Sequence, residues 1–197
     1  MTKIVLPGEP LIDGPTLLRP WRDSDALAVT AACQDPEIAR WTRVPDNYSE
    51  SDARAFLLYR HDAVLTGEAA PFAVVSPDDR LLGSVALIAI EWPHLRGEVG
   101  YWLAREARGE GHATRAVRLI CGWGFDALGL GRIVLHAATE NLASQRVAQR
   151  SGFTREAVLR AYLRGKDGPQ DMVAFGLLAD ELGRRVDPGG NSIGVGL

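Results

Sequence analysis

Arg108-Gly109-Glu110-Gly111-His112-Ala113 stands between an alternating segment, GEVGYWLA at 97–104, and an apolar-periodic one that runs to Leu128. Two glycines so placed let a backbone turn tightly and let another group come close to it. Strand, glycine loop and helix in this order aim amide N–H groups at whatever lies before the helix, and the helix dipole favours an anion there. The chemistry on offer is capture of a phosphate. No Gly-Lys-Ser/Thr follows, which excludes a P-loop, and no acid closes a second parallel strand as a dinucleotide site requires. A glycine pair before a helix can also be only a turn.

Other reactive side chains are sparse. His61, His94 and His136 have no Ser/Asp or Cys partners at triad-like positions, and no His/Cys spacing suggests a metal site. His112, inside the glycine loop, reads as a helix-start or ligand contact rather than an acid or base. Cys33 and Cys121 are far apart and read as buried thiols in a reducing compartment. Asn141 precedes a short helical run that ends at Gly152, the position of an N-cap.

The elements that would position these groups can be read in order. Thr16–Arg19 is a strand. Asp23-Ser24-Asp25 offers an N-cap to a helix through ALAVTAAC, and 38–48 is a helical turn and loop. Ser49 opens a helix whose apolar positions Ala53, Phe56, Leu57 and Val64 recur at helical spacing until Gly67. FAVVS and LLGSVALIAI form a hairpin across Pro77-Asp78-Asp79, and 97–104 continues the meander. A helix over 113–128, a strand over 132–139, a helix over 142–151 and strands near 153–163 and 172–178 complete the order β-α-α-β-β-β-α-β-α-β-β. That order predicts an α+β fold with a mixed, mostly antiparallel sheet of about seven strands flanked by helices.

With 197 residues and 46% hydrophobic composition, one domain over 1–183 is expected, followed by a disordered tail over 184–197. A net charge of −3 gives no general attraction to nucleic acid. The absence of a long apolar run gives none to a membrane. The expectation is a cytoplasmic protein. A homodimer is compatible with the sequence but not legible in it.

A second match downstream carries a resemblance that bears on the ligand of the loop. Arg108-x-x-Gly111-x-Ala113 fits the Q/R-x-x-G-x-G/A signature of the GNAT superfamily of N-acetyltransferases, and Asn141-x-x-Ser144 with Val147 and Gly152-Phe153 fits its N-x-x-A/S…G-F segment. The run NLASQRVAQRSGF most resembles the branch of ribosomal-protein N-terminal acetyltransferases, and the likeness covers roughly 16–178.

The resemblance implies an acetyl-CoA-dependent, metal-free transfer to an amine, by direct attack in a ternary complex. The pyrophosphate would rest on the amides of Arg108, Gly109, Glu110, Gly111, His112, Ala113 and Thr114. Peptide groups of Trp102, Leu103 and Ala104 would bond the pantetheine arm along a splayed strand, and Asn141 would bond it from the far side. Glu98 is implied as the base. The superfamily's usual tyrosine acid, seven residues after the Asn, is absent because Ala148 stands there. Ser144 is the implied substitute as hydrogen-bond donor to the thiolate, with Tyr162 as a further candidate. Trp41 and Trp92 are the expected acceptor-site walls. The acceptor expected first is a protein or peptide N-terminal amine. The alternatives are a small-molecule amine such as an aminoglycoside, polyamine or amino acid derivative, or a noncatalytic acyl-CoA-binding module.

Overall fold

A computed structural model describes residues 4–166 and 168–182, together with the backbone of 185–186 and 192–193. Eight strands form one sheet in the order β1-β2-β3-β4-β5-β6-β8-β7, with β1 Leu11–Asp13, β2 Thr16–Arg19, β3 Ala70–Val75, β4 Leu81–Glu91, β5 Arg96–Leu103, β6 Arg132–Ala138, β7 Thr154–Gly165 and β8 Gly168–Leu178. All neighbours are antiparallel except β5 and β6. The expected fold class holds, with one strand more than expected. β1 has three residues, too few to show alternation, and exists because a turn with Gly14 at φ 55° folds it back onto β2. The expected tail lies outside the described residues apart from a backbone ladder pairing Arg185–Val186 with Ser192–Ile193.

The helices are α1 Ala26–Ala32, α2 Pro36–Trp41, α3 Glu50–Thr66, α4 His112–Leu128 and α5 Leu142–Arg150. Local chemistry sets their ends. Asp35 caps α2 through Glu37 N–H, with Pro36 in the first turn, where its missing donor has no consequence. Ser49 and Asp52 form a capping box for α3, and Gly67 ends that helix at φ 78°. Asp25 does not serve as the expected side-chain cap. Its carboxylate takes both Nη1 and Nη2 of buried Arg19 at 2.8 Å, and Arg19 Nε reaches Asp79 at 2.7 Å. Those carboxylates hold the Arg19 guanidinium firmly charged.

Alternation along β5 divides the core between the two sheet faces. Val99 and Leu103 join Val117, Ile120 and Phe125 of α4 in one cluster. Trp102 points the other way, into a second cluster with Trp21, Val29 and Leu57 beneath α1 and α3. β4 and β5 approach so closely that a Cβ at Gly83 would overlap the Trp102 carbonyl. Among the described residues, no helix is long and apolar enough to cross a membrane.

Candidate active site

The site is built on a break in the sheet. β5 pairs with β4 up to Leu103, and β6 pairs with β8 over its whole length, yet β5 and β6 pair only at Arg96↔Arg132, Gly97↔Ile133 and Glu98↔Val134. Beyond Glu98 the two parallel strands part. Ala104 N–H donates to the Leu82 carbonyl at 2.9 Å. Because successive peptide groups alternate in direction, the N–H groups of Trp102 and Gly100 also face β4, while those of Tyr101 and Leu103 face the gap. Of the three expected amides, Leu103 therefore carries the one turned to the gap. Arg108 closes the end of this free edge, donating to the Leu103 carbonyl from Nε at 3.2 Å and Nη2 at 2.9 Å.

The glycine loop follows at the same end. Gly109 and Gly111 sit at φ 87° and 83°, in the left-handed region that disfavours other residues. The N–H groups of Gly109, Glu110, Gly111, His112, Ala113 and Thr114 have no acceptor among the described residues, as a helix N-terminus leaves them. Arg108 N–H is instead taken by the Arg105 carbonyl. Arg115 lays its guanidinium over Gly111, held by the Glu110 carbonyl at 2.8 Å. That cation was not singled out from the sequence, although its place one helical turn after Gly111 was a signal. The His112 side chain is buried, with Nδ1 2.8 Å from Thr16 Oγ1 and Nε2 3.3 Å from Glu110 Oε2, so the ring braces the loop and its backbone N–H is what faces a ligand. Free N–H groups, left-handed glycines and a poised guanidinium suit a pyrophosphate.

On the α4 face, Asn141 caps α5 by accepting from Ser144 N–H at 3.0 Å, which leaves its amide nitrogen for a ligand. Ser144 Oγ accepts from Tyr101 O–H at 3.0 Å. Burial pushes the Tyr101 phenol up to about 12, so it remains a donor at neutral pH. Ser144 therefore keeps its own hydrogen to give away. Tyr101 was not foreseen, since alternation reveals its face but not its partner 43 positions on.

On the other face, Glu98 Oε2 lies 3.2 Å from Nδ1 of His136. His136 is two residues past the last β5–β6 pair and stacks at 4.8 Å, ring to ring, against Tyr162 of β7. The sequence reading set His136 aside for want of a partner. The partner is a carboxylate supplied by the neighbouring strand, and no sequence spacing could reveal it. Tyr162 is thereby on the Glu98 side, away from Ser144. Both cysteines are buried, and burial pushes the Cys33 thiol up to about 12 and raises Cys121 also. Neither is an activated nucleophile.

α2 spans the mouth of the gap. Asp35, at its start, is 2.6 Å from Arg108 Nη2 at the end of β5, and Arg40, near its end, is 3.8 Å from Glu140 just past β6. Beneath α2 opens a cleft of about 240 Å³ lined by Pro36, Arg40, Trp41, Asp46, Glu140, Lys166 and Gln170. Trp41 thus borders this cleft, its ring under Arg40 at 4.5 Å. Trp92 does not. It packs against the α4-side core and donates Nε1 to the Gly67 carbonyl at 3.0 Å, which corrects its expected place in the acceptor site to a brace at the end of α3. The bulky ring supplied no signal to tell wall from brace.

Comparison with known proteins supplies the family. Residues 16–154 match the family described as "Acetyltransferase (GNAT) domain". The "Uncharacterized N-acetyltransferase p20" of Bacillus licheniformis is 30% identical over 165 residues, covering 83% of this chain and 93% of that protein. Among solved structures, Mycobacterium smegmatis RimJ in complex with CoA-disulfide superposes with a TM-score of 0.79 at 24% identity, covering 85% of this chain and 84% of that one. Spermidine N-acetyltransferase from Vibrio cholerae in complex with CoA and spermine does so with a TM-score of 0.75 at 22% identity, covering 86% and 99%. At such identities the structures attest the fold, and the family match and the p20 relationship carry the assignment: the chain belongs to the GNAT family and is an N-acetyltransferase.

Proposed function

We propose that the chain takes acetyl-CoA as donor and a protein or peptide N-terminal amine as acceptor. The observation that carries the acceptor class is the charge of the cleft beside Trp41. Its two cations, Arg40 and Lys166, are each set against an acid, Glu140 and Asp46, with Lys166 Nζ 2.6 Å from Asp46. A polyamine needs an excess of carboxylates. A charge-balanced, open, polar cleft with one aromatic wall instead suits a peptide end, whose backbone brings its own donors and acceptors.

Within this reading the free N–H groups from Gly109 to Thr114, with Arg115, hold the donor's pyrophosphate. Leu103 N–H bonds along the gap, and Asn141 approaches from the α5 side. Ser144 gives its hydrogen bond to the departing sulfur, with Tyr101 behind it. Glu98 lies on the acceptor face, the side from which the amine's proton leaves. The test is CoA thiol release from acetyl-CoA in the presence of short peptides, their N-terminally blocked forms, spermidine and aminoglycosides. Acceleration by free peptides alone is expected. Acceleration by spermidine and not by peptides overturns the acceptor class. CoA binding with no acceleration by any amine, unchanged by Glu98→Gln, reduces the protein to a binding module.

A further inference from the structure

We propose that His136 is the group that receives the amine's proton, and that Glu98 acts through it. The geometry is that of a carboxylate behind an imidazole. Glu98 Oε2 stands 3.2 Å from Nδ1, within ion-pair reach but off the line of a hydrogen bond, and Nδ1 is sealed from solvent with no hydrogen-bond partner, so a small turn of the carboxylate is what would complete the pair. Among the described residues Nε2 has no protein partner at all. An imidazole whose Nδ1–H points at a carboxylate presents a bare Nε2. The carboxylate also stabilises the imidazolium formed when Nε2 takes a proton.

The pair sits where β5 and β6 part, on the face that carries Trp102 rather than Tyr101. The ring is fixed from the opposite side by Tyr162, which a bulge in β7 brings into place: Ala161 adopts φ 50°, and its N–H is tied to Asp171 at 2.8 Å. The titratable groups facing His136 are thus Glu98 from β5 and Tyr162 from β7. β8 opposes it with Ala174, and Arg132, further along β6, is committed to Glu156.

The proton balance closes without another reactant. The first ammonium proton of the acceptor passes to His136 Nε2 and then to water. The neutral amine attacks the thioester carbon. The C–N bond forms and the C–S bond breaks, and the second proton leaves nitrogen for the sulfur. The products are the N-acetyl amine, CoA thiol and one released proton.

The inference rests on the family assignment and not on the acceptor class, so the best acceptor from the thiol-release panel serves for the kinetics. Glu98→Gln and His136→Gln are each expected to lower kcat/KM at neutral pH by about 10²- to 10⁴-fold, the range of a lost general base. The double variant should be no worse than either, as for residues acting as one unit. In His136→Gln the acid-side limb of the pH profile should flatten, the group whose protonation removes activity being gone, while acetyl-CoA affinity and the unfolding midpoint stay near wild type. A second readout needs no acceptor: ¹⁵N spectra of the imidazoles should show His136 as the Nδ1–H tautomer in wild type, and a loss of that preference in Glu98→Gln. An Nε2–H tautomer in wild type overturns the proposal, as does His136→Gln with an unchanged acid limb. His136→Asn, which offers an amide near Nδ1 only, separates loss of the base from loss of folding.

Discussion

Tyr101→Phe isolates one hydrogen bond. It keeps the ring against the α4-side core and deletes only the O–H that Ser144 accepts at 3.0 Å. Burial holds the phenol protonated, so in wild type the direction is fixed from Tyr101 to Ser144, and the serine hydrogen points elsewhere. Without that donor, Ser144 is free to rotate and spends less time aimed at the sulfur. A neutral hydrogen bond of this kind contributes about 0.5–1.5 kcal/mol. If the full amount is felt in the transition state, kcat falls roughly two- to tenfold at ~1.4 kcal/mol per decade. The same loss in the ground state lowers the melting temperature by roughly 2–4 °C per kcal/mol for a chain this size.

The assay is steady-state thiol release, with acetyl-CoA affinity measured separately by calorimetry. Ser144→Ala is expected to lower kcat further at little cost in affinity, and adding Tyr101→Phe to it should change nothing more, since the tyrosine acts only through the serine. A Tyr101→Phe protein with wild-type kcat but a lowered melting temperature would refute the orienting role. Loss of acetyl-CoA affinity equal to the loss of kcat in Ser144→Ala would make that serine a pantetheine contact and nothing more.

Three other outcomes are expected. Gly111→Asp places a side chain at φ 83°, about 3.1 Å from the Arg115 guanidinium, and adds a negative charge where a pyrophosphate is expected. Strain of about 1–2 kcal/mol and like-charge repulsion should weaken acetyl-CoA binding at least tenfold by calorimetry, and unchanged affinity rejects the phosphate placement. Arg19→Met leaves Asp25 as a buried carboxylate with its bidentate partner gone, and urea unfolding should show a loss of about 3–5 kcal/mol, where a loss below about 1 would mean that water replaces the guanidinium. Trp41→Ala removes the aromatic wall of the cleft and should raise KM for the acceptor while leaving acetyl-CoA affinity intact, and a fall in acetyl-CoA affinity alone would assign the ring to the donor side.

Much of the fold was legible because local chemistry and tertiary outcome agree. Ser49 with Asp52, Gly67, Asn141 and Gly152 mark ends that the backbone then adopts, β3 and β4 are apolar runs bounded by turns, and β5 and β6 alternate cleanly enough to fix their faces. The glycine loop was legible for the same reason, since its φ values follow from having no Cβ. What failed was adjacency across strands. Asp25 looked like a cap for α1 because its neighbours in sequence suit one, but its oxygens are taken by the buried Arg19 guanidinium and by the Arg22 N–H behind it, not by the N–H groups of α1. Tyr101 and His136 were unremarkable in sequence because their roles depend on which strand lies beside β5. β6 lies there through a parallel crossover that places residues 38 apart, Glu98 and His136, side by side.

The strand between the two polar pairs explains why the arrangement is workable. Tyr101 and Ser144 lie on the α4 face of β5, and Glu98 and His136 on the other. On the proposed reading one pair gives a hydrogen bond to the departing sulfur and the other takes the proton of the amine, and pairing them with each other would leave neither free for its substrate. Separated by the sheet, they meet only through the gap, where both substrates must lie for the sulfur to be held from one face while the amine's proton leaves on the other. α2 stands across that gap, tied to Arg108 at one lip and set near Glu140 at the other. Its first residues therefore touch the chain that bonds the donor and its last residues wall the acceptor cleft, so displacement of this six-residue helix should disturb both binding steps together.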